Sequence, residues 1–344
     1  MVRLSVSRYL AVRCLVCFLA WACVLTIGTS GSAQTSDEVH LTPKADSPDS
    51  STVAAAADLN LHTRPLRADV DLVLVPVTVT DSANRPVLTL HQSDFSLYEN
   101  SAPQQIRYFS HEDGPISIAL VLDCSASMKN KIEYEGLALT EFFNNANPED
   151  EYFAVTVSDK PQLIATSSDS IGTVQDRLAS SPPHGRTALF DGIYMAISQL
   201  RTARYHRRAL LIISDGGDNR SRYTRKEIKD VIEEADVLTY AIGIFDEEPI
   251  PLLKSIEERM GRDWLSELTD ASGGRTIAAD DRRKIPEIAA IISRELRSQY
   301  LLGYRPTSSA RDGKWRKITV QIAPASHSLH LHPYYREGYR APSE

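Results

Sequence analysis

The pattern of hydrophobic and polar positions changes twice along the body of the chain, and each stretch predicts a different kind of structure. Val73, Val75, Val77 and Val79 alternate with Leu74, Pro76, Thr78 and Thr80. That period of two predicts a strand with one buried face. Residues 95–99 and 105–109 alternate in the same way around Asn100-Ser101-Ala102-Pro103, and short strands at this spacing point to part of a β-sandwich. From Ile116 to about Gln299 the pattern becomes strand, helix, strand, helix. Apolar runs at 116–122, 152–157, 209–214 and 237–244 read as buried strands, with shorter extended pieces at 162–165 and 275–278. Residues 131–146, 187–200, 225–235, 251–271 and 286–298 carry helical spacing, as in Leu189, Ile193, Ala196, Ile197 and Leu200. The expected class is α/β: a doubly wound, mostly parallel sheet, with its ligand crevice at the carboxyl ends of the strands.

Strand character returns at 300–304, 318–322 and 329–332. Too few strands precede the α/β region to close a sandwich alone, so the tail is expected to complete it. The organisation read from the sequence is a linker at 34–68 and a β-strand module at 69–112. An α/β domain at 113–299 follows, then a C-terminal β-strand segment at 300–344 that pairs with the first module. No hinge glycine lies between Ser298 and Leu302, so a rigid junction is expected there.

The amino terminus changes the picture of where the protein works. Arg3, Arg8 and Arg13 precede the apolar run 14–27, and small residues ending Gly31-Ser32-Ala33 follow. This reads as a secretory signal peptide over 1–33, cleaved after Ala33. As a helix the run spans about 20 Å, short of the roughly 30 Å hydrocarbon core. Export to the periplasm or the medium is expected, with no membrane span after cleavage. Cys23 lacks the flanking residues of a lipidation signal, since Ala20 and Trp21 fill the upstream positions poorly. Cys14, Cys17 and Cys23 leave with the signal, so Cys124 alone remains and no intramolecular disulfide forms. Residues 34–68, rich in Ser, Asp, Ala, Thr and Pro, read as a flexible tether. A formal net charge of -7 gives no basic footprint for nucleic acid.

The candidate chemistry begins where the 116–122 run ends. Asp123-Cys124-Ser125-Ala126-Ser127 places one carboxylate and two hydroxyls at single-residue spacing, so a loop there can aim three oxygens at one point. Oxygen-only ligands suit a hard cation such as Mg²⁺, although a polar turn capping a helix would have the same composition. Thr187 offers a further hydroxyl at the start of a helical pattern, and Asp215 a carboxylate after a second buried strand. Cys124 sits beside acidic groups that disfavour its thiolate, so it reads as inert.

This order and context resemble the von Willebrand factor type A family and its metal-ion-dependent adhesion site. The family motif, Asp-x-Ser-x-Ser with a distant Thr and a distant Asp, falls on Asp123, Ser125, Ser127, Thr187 and Asp215 with none missing. The flanks Val79-Thr80-Asp81, Arg85-Pro86-Val87, Trp315-Arg316-Lys317-Ile318 and Arg336-Glu337-Gly338-Tyr339 look like secreted proteins of the VWFA-related acidobacterial domain family, over about 69–341. The resemblance implies Mg²⁺ (or Mn²⁺) held directly by Ser125, Ser127 and Thr187, with Asp123 and Asp215 supplying charge and orienting water. Asp191 and Asp218, with Asn219, read equally as groups that position those ligands from behind and as solvated loop residues or helix caps. It further implies a protein partner that presents an Asp or Glu carboxylate to the cation. The alternatives are an envelope assembly scaffold whose metal is only structural, and a metal-dependent hydrolase. No His or Glu base stands at motif spacing and no Gly-x-Ser-x-Gly elbow occurs, so no enzyme is expected.

The export reading predicts a mature amino terminus at Gln34, in periplasm or medium. Mass spectrometry of the secreted chain checks it, and an acylated Cys23 terminus would replace it with a lipoprotein.

Overall fold

The computed structural model describes residues 72–111, 113–245, 256–279, 281–323 and 331–343, with backbone only at 256–259. The predicted signal peptide and linker, and the start of the strand expected at 329–332, lie outside the described residues. Four short strands come first: β1 (Val73–Thr80), β2 (Phe95–Glu99), β3 (Ala102–Gln104) and β4 (Ile106–Ser110). There follow β5 (Ser117–Asp123), α1 (Ile132–Asn144), β6 (Glu151–Val157), β7 (Pro161–Ala165), α2 (Ile171–Ala179) and α3 (Leu189–Leu200). The α/β region continues with β8 (Arg208–Ser214), α4 (Arg225–Ala235), β9 (Leu238–Ile244), α5 (Ile256–Ser272), β10 (Thr276–Ala279) and α6 (Ile285–Arg297). The chain closes with β11 (Gln299–Tyr304), β12 (Trp315–Ile322), β13 (His332–Tyr335) and β14 (Gly338–Arg340).

The central sheet runs β10-β9-β8-β5-β6-β7, parallel throughout except for β7 at the edge. Because side chains alternate across a strand, β5 feeds two cores at once. Ile118, Leu120 and Leu122 pack with Leu139, Phe142, Val174, Ile288 and Ile292 from α1, α2 and α6. Ala119 and Val121 pack with Ile193, Ile197, Ile228, Ile232 and Leu265 from α3, α4 and α5. Both faces are therefore covered by helices, and the sheet is doubly wound. From β5 the chain moves to β6 on one side and later returns to β8 on the other. The strand order therefore reverses at β5, and a crevice opens outside the carboxyl ends of β5 and β8.

The outer strands form two antiparallel sheets, β13-β1-β11-β4 and β14-β12-β2-β3, that share one core of Val75, Val77, Phe95, Leu97, Leu302 and Ile318 among others. β4 and β11 are antiparallel neighbours, so the chain leaves for the α/β region and returns on adjacent strands. Pro76 lacks the N–H a central strand needs, and it lies one residue outside the β1–β13 ladder, which begins at Val77. The alternation in β1 predicts one buried face, but Thr78 and Thr80 are buried as well. The reason is the α/β region itself, which covers the second face and brings the Tyr240 hydroxyl to 3.5 Å from Thr78 Oγ1.

Two further differences have local causes. α2 is not anticipated by the hydrophobic pattern, since it contributes only Val174 and Leu178 to the core. Its sequence signal is the cap, where the Ser170 side chain accepts the Thr173 N–H at 3.2 Å. The run Arg201, Arg204, Arg207 and Arg208 reads as a solvated helix end, yet α3 stops at Leu200. Arg207 and Arg208 are half-buried beyond it, and Arg207 donates to the carbonyls of Gly114 and Leu296, the latter at 2.9 Å.

The end of α6 is held on several sides. Arg297 pairs with Asp150 and with Asp113 at 3.1 Å, and the Ser293 hydroxyl donates to Phe142 O at 3.0 Å. Glu295, with no exposed surface, pairs with Arg275, whose other arm donates to Asn84 Oδ1 at 2.8 Å in the turn after β1. Removing one member of such a pair strands a buried charge. Arg275→Ala is expected to lower stability by about 3–5 kcal/mol, whereas Arg275→Met with Glu295→Leu recovers most of the loss. Urea denaturation of both variants checks this, and a small effect in the single variant would mean that the pair is solvated.

Candidate metal centre

The site is built where two central strands end side by side. Leu122 faces Ile213 across the β5–β8 ladder, so Asp123 closes one strand beside Ser214, which closes the other. The Ser214 hydroxyl, which is fully buried, donates to Asp123 Oδ2 at 2.6 Å and accepts the Gly216 N–H at 3.0 Å. Asp123 Oδ1 accepts the Ser125 N–H at 3.0 Å, which folds the 123–127 loop back over its own carboxylate. In that loop the hydroxyls of Ser125 and Ser127 stand 3.0 Å apart, Ser125 buried and Ser127 exposed.

Two other loops are tied to it. His184 N–H donates to Cys124 O at 2.9 Å, and Ala126 N–H donates to Gly185 O at 3.1 Å. Gly185 adopts a φ of 71°, and a Cβ there would lie 2.3 Å from the Asp159 carboxylate, so both its conformation and its surroundings require glycine. Thr187 exchanges two bonds with Asn219, donating to its Oδ1 at 3.1 Å and accepting its N–H at 3.0 Å. These bonds hold Thr187 in the loop, and α3 begins two residues later than its apolar spacing predicts. The Asp215 loop is seated in turn on α5, where Trp264 Nε1 donates to Gly216 O at 2.9 Å. Gly216 (φ 78°) lies so close to Gly261 that a Cβ would sit 2.8 Å from its backbone.

Electrostatically the site is a pair of carboxylates in a mostly buried setting. Burial, then the charge of Asp215, pushes the Asp123 carboxyl up to about 6, against the bonds from Ser125 and Ser214. Glu135 of α1 lies fully buried near Asp123, and burial together with the Asp123 charge lifts its carboxyl well above the ordinary range. The Cys124 thiol is pushed far up by burial, then by Glu135 and Asp123.

The motif residues thus lie on three mutually fastened loops at the end of the sheet. Asp191 and Asp218 have different partners. Asp191 accepts the Arg222 N–H at 2.9 Å and its Nε–H at 3.2 Å. Asp218 accepts the Phe190 N–H at 2.9 Å, in the first turn of α3, and the Ser221 hydroxyl at 2.6 Å. They fasten the 218–223 loop to α3. The pattern did not single out Ser214 or Lys131. Lys131 is 3% exposed, donates to Ile244 O at 3.3 Å and brings its ammonium to 3.8 Å from Asp215 Oδ2. Ser214 was legible as a hydroxyl ending an apolar run; nothing in the sequence ties Lys131 to Asp215. Among the described residues no group of three His, Cys, Asp or Glu side chains is placed to hold a metal. A cation here therefore depends on hydroxyls as well as on Asp123 and Asp215.

Residues 118–217 match the family model of the von Willebrand factor type A domain. This part of the chain is a von Willebrand factor type A domain. The matched span begins in β5 and ends just past Asp215, so all five motif positions fall within it. None of the curated proteins matches the chain. Among solved structures, a von Willebrand factor type A protein from Catenulispora acidiphila is 11% identical, with a TM-score of 0.45 over 71% of this chain and 73% of that one. An aerotolerance-related membrane protein from Bacteroides fragilis is 18% identical, at 0.42 over 53% and 98%. Proximal thread matrix protein 1 from the mussel byssus, with a zinc-occupied MIDAS motif, is 15% identical, at 0.43 over 58% and 49%. These three are similar to the type A domain only at the level of the fold.

Burial of the type A domain's lone thiol gives a direct check on the loop packing. In the chain lacking Cys14, Cys17 and Cys23, Cys124 is expected to resist Ellman's reagent in native buffer and to react fully in denaturant. Reaction within minutes in native buffer would show that the 123–127 loop opens.

Proposed function

We propose that the chain is an exported binding module whose type A domain holds Mg²⁺ (or Mn²⁺) at Asp123, Ser125, Ser127, Thr187 and Asp215. In this reading a protein partner docks by presenting an Asp or Glu carboxylate to the cation. The observation that carries it is the convergence of two carboxylates and a hydroxyl pair at the strand ends, where Asp215 raises the cost of ionising Asp123. A divalent cation between them removes that cost, and an all-oxygen donor set suits a hard ion. When bound, the cation supplies an electrophilic position for a carboxylate oxygen. The protein's part is to hold the donors: Ser214 orients Asp123, Asn219 fixes Thr187, and the Gly185 turn brings the Thr187 loop against the serine loop. Ser127 is exposed at the rim, where a partner reaches it. The amino-terminal pattern supports export, and no described helix is long and apolar enough to cross a membrane. The reading assigns the site binding and no catalysis.

A second reading, an assembly scaffold in which an ion at most ties the loops together, draws support from Lys131. Its ammonium already gives Asp215 a buried positive neighbour. Pull-downs of the native envelope with and without EDTA separate the two, since only the first loses its partner on chelation.

Titration calorimetry is expected to find one principal site for Mg²⁺ or Mn²⁺. Asp123→Ala and Thr187→Ala should weaken it at least as much as the roughly 10–100-fold typical of losing an outer partner, while leaving the fold intact by circular dichroism. Unchanged affinity in Asp123→Ala would remove the assignment.

A further inference from the structure

The rim of the metal centre is basic, on a chain whose formal net charge is -7. Loops at 124–131, 158–160, 180–188 and 215–224 border the site, and each carries an exposed cation: Lys129, Lys160, Arg186, and Arg220 with Arg222. The bonds that fasten the loops bring these residues to the motif positions. Arg186 precedes Thr187, and Arg220 follows Asn219, whose N–H and side chain both bond Thr187. Lys129 N–H donates to Ala126 O at 3.3 Å, in the turn that contains Ser127. Ala188 N–H donates to Ser158 O at 2.9 Å, which sets the 158–160 loop beside the Thr187 loop. Arg282, after β10, reaches the same rim by donating to Asn130 O at 3.3 Å.

Acidic groups do not balance this charge. Asp159 is the one exposed carboxylate on these loops among the described residues, and it accepts the Arg186 N–H at 3.0 Å. Glu133 is exposed in the first turn of α1. Asp191 takes Arg222, whose side chain is still 84% exposed. Lys129, Lys160, Arg186 and Arg220 have no ion-pair partner among the described residues. Positive charge around a cation site opposes entry of the cation, so the rim does not serve the metal. It serves an anion that arrives afterwards, by steering its approach and by pairing with charges beside the one on the cation. A single carboxylate is used up at the cation and leaves the rim unanswered. Guanidinium forks match carboxylate and phosphate alike. These residues, however, gather around one point and form no stripe for a phosphate backbone, and the net negative chain disfavours nucleic acid.

We propose that the docking segment of the partner is an acidic run, in which the carboxylate on the cation is flanked by further Asp or Glu side chains that meet Lys129, Lys160, Arg186 and Arg220. This rests on the cation-dependent reading of the same site.

The test titrates the full chain in Mg²⁺ with two short peptides of equal length, one with a single Glu among Gly and Ser and one with that Glu inside a run of Glu and Asp. A single-stranded oligonucleotide with the net charge of the acidic run is the third probe. In low salt the acidic run is expected to bind about tenfold or more tightly than either other probe, an advantage that shrinks as ionic strength rises. Arg186→Gln with Arg220→Gln should remove most of that advantage, while Mg²⁺ affinity measured without peptide does not fall. If that variant fails to fold, Lys129→Gln with Lys160→Gln should reduce the advantage severalfold. The proposal is overturned if the acidic run does not bind, if either other probe binds as well, or if the folded variant keeps the full advantage. Repeating the titration in EDTA tells this failure from failure of the cation reading. A preference for the acidic run that persists unchanged in EDTA keeps the basic rim and removes the cation, whereas Mg²⁺ binding without that preference keeps the cation and removes the rim.

Discussion

Asp123 has no exposed surface, and much of the type A domain is arranged around answering its carboxylate from inside the protein. Water cannot solvate it, so the Ser214 hydroxyl and the Ser125 N–H do so instead. Each of those bonds has a structural price elsewhere. Ser214 must end its strand level with Asp123, which fixes the register of β8 against β5. Ser125 must turn back, which commits the next residues to a tight loop and leaves Ser127 at the surface. The close packing of Gly216 on Gly261 keeps Asp215 from drifting away. A polar requirement at one atom thus sets the ends of two strands and the path of two loops.

The two ends of the central sheet are built in contrasting ways. At the carboxyl end, acidic and hydroxyl groups gather on loops with backbone hydrogen bonds between them. At the amino end, arginines meet carbonyls, aspartates and apolar side chains against the sandwich strands. Arg275 with Glu295, and Arg297 with Asp150, fix the far end of α6 while its first turns lie in the sheet's core. The helix is therefore anchored in the place where a displacement would have to pass into β11.

What the sequence disclosed follows from which interactions are local. The buried strands were legible because unbroken apolar runs such as 210–213 have few other fates, and their ends fell within a residue or two of the pattern. That Asp123, Ser125 and Ser127 share one loop was legible because their spacing is local, and Asp215 was legible as the end of a strand of the same kind. α2 was obscured because only Val174 and Leu178 face the core, and β3 and β14 are three residues each. Lys131 was hidden for a different reason. Its place beside Asp215 arises only when the start of α1 packs against the end of β9, at the Ile244 carbonyl. Asp191 and Asp218 were visible as acids near the motif, but their partners at 221–223 are settled by how one loop lies on α3.

The pairing of the first strand with the last part of the chain bears on the order in which the protein folds. Leu90 N–H donates to the Tyr300 hydroxyl across 210 residues, and β1 meets no strand partner before β11. Closing so long a loop in an open chain is slow, because the entropy is lost before the contacts form. The type A region is continuous from β5 to α6 and can collapse on its own contacts. Once it has done so, β4 and β11 emerge as neighbours, and the effective loop shrinks to the short connections at its two ends. Until then β1 and β2 present unpaired edges, the surfaces through which chains aggregate. The inserted α/β region thus shortens the loop that the sandwich strands have to close.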